Sequence, residues 1–366
     1  ITSYALLRQD RTHFAGRDYA IVICDEAQAL KNPKAQAAAI VRELRARQVI
    51  CLTGTPLENS LEDLWSLMNL TVPAALGDRK AFRQTFRTPI ENHSDSQWRE
   101  QLSRRVRPFL LRRRKADVAA DLPARTEIED TVPLNGAQRD LYETVRASMD
   151  ARVREAIRTH GLNRSQITVL EALLKLRQVC CDPRLLDGEA GRRGGKSAKL
   201  ERLRALLDDL LAEQRRVLVF SQFTSMLDLI ESQVQAAGIG YCRLDGSTAD
   251  RETPVRRFQD GEVPVFLVSL KAGGTGLNLT AADTVIHYDP WWNPAVSAQA
   301  TDRAHRIGQD KPVFVYHLIA EGTVEARMRE LQARKRDLAQ FIETEGATGG
   351  GLDEADVDML LAPIGA

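Results

Sequence analysis

The chain has 366 residues, of which 28% are charged and 43% apolar, and its formal net charge is +1. That length suits two domains or one large domain with insertions, and the composition supports a packed core, so a disordered chain and a uniformly basic, histone-like coat are both excluded. No apolar run approaches the ~18 residues of a membrane-spanning helix, and five cysteines without a CxxC pair fit a reduced, cytosolic protein better than a disulfide scaffold or a zinc site.

The chain opens on ITSYALL, with neither an initiating Met nor a signal-peptide pattern, and is therefore expected to be a piece of a longer protein. Residues 19–25 (YAIVICD) read as a buried parallel strand, and 48–53 (QVICLT) as a second, with a helix over 35–47 between them. Strand, helix, strand at this spacing is a βαβ-type unit. Residues 60–122 read as mainly helical, and 99–115 carry seven Arg and one Lys against one Glu. Residues 1–122 hold 20 basic and 14 acidic side chains, a net of +6, while the remainder carries −5. Residues 135–181 read as helices, 187–197 as a flexible loop and 198–214 as an amphipathic helix. Strands are then expected at 217–221, 241–245, 263–269, 284–289 and 313–319, with helices between them. A last helix over 324–343, a Gly-rich linker and an acidic end close the chain. The expected fold class is α/β, with two doubly wound parallel-sheet lobes of which the first is incomplete.

Asp25-Glu26-Ala27-Gln28 ends the first strand, and ligands of open parallel sheets sit at the carboxyl ends of strands. Two adjacent acids there can divide the labour of phosphoryl transfer, one serving Mg²⁺ and one polarising a water; a solvated acidic turn is the alternative. Leu52-Thr53-Gly54-Thr55-Pro56 follows the next strand and brings hydroxyls to the same sheet edge, or is a plain turn. Offsets of four and seven along a helix place Gln299, Arg303 and Arg306 on one face, either a solvated surface or a pair of arginine fingers. Lys271-Ala-Gly-Gly-Thr275-Gly276-Leu-Asn278 is glycine-rich enough for backbone amides to approach a phosphate, although turns use the same residues. Gly195-Lys196-Ser197 imitates the end of a GxxxxGK[ST] phosphate loop, but the required first glycine is Ala190 and no strand precedes it, so it reads as a linker into a helix. His305 reads as a helix-surface histidine, Trp291-Trp292 as packing, and Cys180-Cys181 as core thiols.

DEAQ, LTGTPLEN, PFLLRRRKADV (108–118), VLVFSQFTSMLDLIE (217–231), LDGST (244–248), KAGGTGLNLTAAD (271–283) and WWNPAVSAQATDRAHRIGQ (291–309) occur in one order, and together they resemble the Swi/Snf-type ATPases of helicase superfamily two. The resemblance spans nearly the whole chain. It implies two RecA-like lobes: 1–122 as the C-terminal part of lobe 1 with a helical insertion, 123–195 as linker and insertion of lobe 2, 196–323 as lobe 2, and 324–366 as a brace helix and acidic tail. It also implies ATP and Mg²⁺ as cofactors, Asp25 serving Mg²⁺ through water, Glu26 activating water, and Arg303 and Arg306 as fingers. Gln28, Gln299, Gly274 and Gly276 would support the nucleotide. Thr53, Thr55, Lys271, Thr275, Asn278, Arg112 and Arg113 would couple the site to nucleic acid.

Position 28 is Gln where many relatives have His. The family's GKT phosphate loop would lie upstream of Ile1. The expected function of the parent protein is ATP-dependent translocation on double-stranded DNA that remodels a DNA-bound protein target such as RNA polymerase or another nucleoprotein, with no membrane partner. The location would be cytoplasmic and nucleoid-associated in a bacterium, nuclear in a eukaryote. Two other readings stand beside it: a non-catalytic DNA- or protein-binding fragment, and an RNA helicase.

Overall fold

A computed structural model describes residues 1–365 apart from 33–34, 55–60, 94–95, 112, 114, 116–120, 189–190, 192–194, 274–275 and 344–351. The chain folds as two compact units, residues 1–113 with the segment from Arg334 in one, and 114–333 with the segment from Leu352 in the other.

In the first unit, β1 (Asp18–Cys24) and β2 (Arg45–Cys51) pair in parallel, with Val22 opposite Val49 and Cys24 opposite Cys51. β1 lies one residue, and β2 two to three residues, N-terminal of where the apolar runs place them. The helix Gln36–Glu43 makes the crossover. Because side chains alternate across a strand, one sheet face packs on Leu7, Ile40, Val41 and Leu67, while Ile21, Ile23 and Ile50 on the other face are exposed. A second cluster (Leu64, Trp65, Phe82, Phe86, Leu102) holds the helices Leu61–Thr71, Arg79–Phe82 and Ser96–Val106 together.

In the second unit, six parallel strands run in the order β3-β8-β7-β4-β6-β5. They are β3 (Arg125–Val132), β4 (Val217–Ser221), β5 (Tyr241–Leu244), β6 (Val265–Ser269), β7 (Thr284–His287) and β8 (Val313–Ala320). The central β4 (VLVFS) and β6 (VFLVS) are buried at every position, which is why they read as unbroken apolar runs rather than alternating ones. The helices Ala198–Ala212 and Thr224–Ala236 cover one face. The other face packs on Phe258, Leu279, Ala300 and Ala304. Ser197 starts the first of these helices by accepting the Leu200 amide through its hydroxyl, so Gly195-Lys196-Ser197 ends in a helix cap, with Lys196 exposed.

Three local expectations are corrected. Residues 125–132 (RTEIEDTV) carry no apolar period, yet form β3 along the full length of β8. As an edge strand it keeps its acids by pairing them, Glu129 with Arg329 and Asp130 with Arg202. The acidic end is not a bare tail. Asp353 and Asp356 build a capping box, and the helix Glu354–Leu360 buries Val357, Leu360 and Leu361 against the long helices Gly136–His160 and Leu162–Cys181. Its apolar residues are spaced by three and four, a one-faced pattern that the acids between them hide. Finally, the helix bearing Gln299 is Pro294–Thr301, so Arg303 and Arg306 lie in the turns beyond it and share no helical face with Gln299.

Candidate active site

The carboxyl ends of β1 and β2 carry the two acids and the hydroxyl that the sequence singles out. The parallel ladder continues past the strands: the Leu52 amide donates to the Cys24 carbonyl (2.8 Å) and the Ala27 amide to the Leu52 carbonyl (2.9 Å). DEAQ and LTGTP are thereby joined by backbone bonds. Ala27 and Leu30 are fully buried beneath this turn, and Ser66 on the helix behind it donates to the Leu30 carbonyl.

The acids differ in setting. Asp25 is exposed, and its Oδ1 accepts the Glu26 amide at 2.9 Å. Tyr4, which sequence reasoning passed over, donates its hydroxyl to the Asp25 carbonyl at 2.7 Å and so fixes the backbone at this point. Glu26 is half-buried with φ +48, in the left-handed region that costs a non-glycine residue about 1–3 kcal/mol and persists only where surroundings impose it. Its Oε2 accepts a 2.6 Å hydrogen bond from Gln28 Nε2, and Gln28 Oε1 accepts a 2.7 Å bond from the Thr53 hydroxyl. A relay of Thr53, Gln28 and Glu26 thus runs from one motif into the other. The amide of Gln28 serves both ends at once, donating to a carboxylate and accepting from a hydroxyl.

The donor chemistry suits magnesium. An exposed carboxylate beside a second one offers hard oxygens, and no group of three or more His, Cys, Asp or Glu side chains among the described residues could form a closed metal cage. Mg²⁺ is held this way in nucleotide sites, by one or two carboxylates with its other positions left to water and phosphate.

In the second unit, Arg303 is buried and Arg306 exposed, and the Arg303 carbonyl accepts the Leu279 amide at 3.0 Å. This bond ties the end of the glycine-rich segment to the arginine turn. Gln309 holds the same junction, donating from Nε2 to the carbonyls of Thr280, Ala282 and Ala304 while Oε1 accepts the amides of Asp310 and Lys311. Sequence reasoning missed this buried glutamine, since only its neighbours in space reveal what it joins. Lys115, the last cation of the basic stretch 99–115, pairs with Asp302 at 2.8 Å and donates to the His305 carbonyl, so it braces the arginine turn. His305 is buried, and its Nε2 lies 2.8 Å from the Pro123 carbonyl, which corrects the expectation of a surface histidine. Behind the turn, Thr301 Oγ1 meets His287 Nε2 at 2.9 Å, and His287 stacks on His317, which contacts Glu127.

Asp25, Glu26, Gln28 and Thr53 are therefore brought together in one unit, and Arg303 and the segment ending at Leu279 in the other. Gln299 is half-buried, and Gly276 (φ +54), Asn278 and Arg113 are exposed. Thr55, Gly274, Thr275 and Arg112 lie outside the described residues, as does the Lys271 side chain. Cys180 and Cys181 are fully buried, as expected of core thiols. Trp291 packs on the sheet, while Trp292 is exposed.

Residues 1–185 match the SNF2-related domain and residues 198–308 the helicase conserved C-terminal domain. The chain belongs to the SNF2-related family. It is 37% identical over 341 residues to the "Uncharacterized ATP-dependent helicase" of Mycoplasma pneumoniae, covering 92% of this chain and 32% of that protein. It is also 37% identical over 361 residues to the human SWI/SNF-related matrix-associated actin-dependent regulator of chromatin subfamily A member 1, covering 94% and 34%. The Sulfolobus solfataricus SWI2/SNF2 ATPase core, solved in complex with dsDNA, matches with a TM-score of 0.53 and 32% identity over 98% of this chain and 75% of that one. The chain spans about a third of the length of the curated relatives it matches.

Proposed function

We propose that the intact protein is an ATP-dependent double-stranded-DNA translocase that remodels protein–DNA complexes, and that these residues supply its hydrolytic acids and its phosphate-sensing arginines. The observation that carries this reading is the Thr53–Gln28–Glu26 relay at the carboxyl ends of β1 and β2. Asp25 would hold Mg²⁺ through water, and the ion would neutralise charge on the phosphates. Glu26 would orient a water and accept its proton as the water attacks the γ-phosphorus and the bond to the β-phosphate oxygen breaks. Gln28 and Thr53 would keep the Glu26 carboxylate aimed. Arg303 and Arg306 are assigned to the charge that develops on the transferring group, with Gln299, Gly274 and Gly276 at the nucleotide. Thr55, Lys271, Thr275, Asn278, Arg112 and Arg113 are assigned to coupling with DNA. The archaeal ATPase core was solved on dsDNA, which supports duplex as the track. The remodelled target would be a DNA-bound protein, such as RNA polymerase or another nucleoprotein.

No GxxxxGK[ST] loop occurs among the 366 residues, so the test belongs on the intact protein, with the 366-residue chain assayed beside it. Duplex DNA is expected to stimulate ATP hydrolysis, and Glu26→Gln to lower turnover by about 10²-fold or more. Displacement of a third strand from a triplex without separation of the underlying duplex identifies a translocase. Duplex separation, RNA-dependent turnover or full activity in Glu26→Gln would overturn the assignment.

A further inference from the structure

The last residue of β1 and the last residue of β2 are both cysteines, and they are direct register partners: Cys24 faces Cys51. Neighbouring strands lie about 4.8 Å apart, inside the Cα separation of about 4.4–6.8 Å that a disulfide bridges. Both side chains lie on the packed face of the sheet, Cys24 buried and Cys51 half-buried, and both are reduced. Cys51 also lines a cavity of about 230 Å³ with Val49, Thr53, Leu64, Met68 and Phe109, which is ample room for a small oxidant.

Two thiols facing each other across one step of the ladder, one of them bordering a cavity, are the arrangement of a nucleophilic cysteine and its resolving partner. Cys242 has no such partner, since Phe266 stands opposite it in the sheet.

We propose that Cys24 and Cys51 form a peroxide-sensitive dithiol whose closure to a disulfide regulates the adjoining acid and hydroxyl motifs. The regulatory half of this proposal rests on the ATPase reading above; the dithiol half does not. The thiolate of one cysteine attacks one oxygen of hydrogen peroxide, the S–O bond forms, the O–O bond breaks, and the other oxygen leaves as water with the proton that thiol gave up. The sulfur of the other cysteine then attacks the resulting sulfenic acid, the S–S bond forms, the S–O bond breaks, and a second water leaves with that thiol's proton. Two thiols are oxidised by two electrons and one peroxide is reduced to two waters. The next residues along each strand are Asp25-Glu26 and Leu52-Thr53, and the bond from Leu52 to the Cys24 carbonyl joins them. A covalent link at the strand ends therefore acts directly on the backbone that holds Glu26 in its left-handed conformation.

The test uses the intact protein treated with a few equivalents of hydrogen peroxide and digested without reductant. The tryptic peptide 18–31 is expected to appear linked to peptide 48–79, with the loss of two hydrogens, and to separate on adding dithiothreitol. Cys24 and Cys51 remaining open to alkylation, or being oxidised separately to sulfinic acids, would overturn the dithiol. In parallel, DNA-stimulated ATP turnover is expected to fall by about fivefold or more on oxidation and to return with dithiothreitol. Cys51→Ser should keep its reduced rate in peroxide. A disulfide that leaves turnover unchanged overturns the regulatory role. Reduced protein without ATP turnover overturns the ATPase reading instead, while the peptide measurement still decides the dithiol.

Discussion

Glu26 is held in a left-handed backbone conformation by the Asp25 carboxylate that accepts its amide, and its side chain by Gln28, which is held in turn by Thr53. Each bond restricts one degree of freedom of the carboxylate. Removing Gln28 or Thr53 should therefore disorder the acid without removing it. Gln28→Ala and Thr53→Ala are each expected to lower kcat for ATP by about 10- to 100-fold, with KM changed by less than about threefold, since misplacement of a reacting group by about an ångström has effects of this size. A change confined to KM would assign Gln28 to nucleotide binding. The acids and the threonine were legible in the sequence because strand ends and a βαβ spacing place them at one sheet edge. The relay was not, because which of several polar side chains meet depends on rotamers and on the left-handed turn at Glu26.

The second unit is organised around an ion pair with no exposure to solvent. Lys199, the second residue of the helix that Ser197 caps, meets Glu325, near the start of the helix Val324–Glu343, at 2.9 and 3.0 Å; Glu325 also accepts the Ala320 amide. Burial alone would lower Lys199, yet Glu325 holds it above its ordinary value. Two helices far apart in sequence are thus joined through charges that water does not screen. Lys199→Met leaves Glu325 without its countercharge and is expected to lower unfolding free energy by about 3–5 kcal/mol. Adding Glu325→Leu should recover most of that loss, as read by denaturant unfolding of the single and double variants. Equal loss in both would show that the pair contributes little beyond side-chain volume. The helix from Ala198 was legible from its amphipathic pattern, whereas the Ser197 cap and the ion pair were not, since a lysine in such a pattern reads as solvated.

Charge is unevenly spread over the whole molecule, with +6 before residue 123 and −5 after it. Arg104 and Arg107 are exposed on the basic stretch, and Arg104 pairs only with its helical neighbour Glu100 among the described residues. If this surface tracks phosphates, Arg104→Glu with Arg107→Glu should weaken duplex binding for all sequences alike and reduce the slope of log affinity against log salt by about 2. An unchanged slope would place the phosphate contacts elsewhere. Stability should in addition depend on pH through His287. Burial, with the neighbouring His317, holds it at about 3, well below an unfolded histidine near 6.5. Only the unfolded chain binds that proton between these values, so the contribution is complete above about pH 6.5 and is lost as pH falls toward 3, at up to about 1.4 kcal/mol per pH unit. His287→Gln is expected to flatten the fall of Tm between pH 6.5 and 4; an equally steep fall would assign acid sensitivity to other groups.

The two α/β units, most of their strands and helices, and the place of Asp25, Glu26 and Thr53 at one sheet edge were legible in the sequence alone, because apolar period and turn residues act over short stretches of chain; β3 and the helix Glu354–Leu360 were not. The register of Cys24 on Cys51, the pairing of a polar β3 with β8, the end of the helix at Thr301 and the anchoring of Arg303 through Leu279, Lys115 and Gln309 were decided only in the tertiary structure. These depend on partners far apart in sequence. A local pattern holds no record of such partners, and burial then gives the contacts their strength by excluding water.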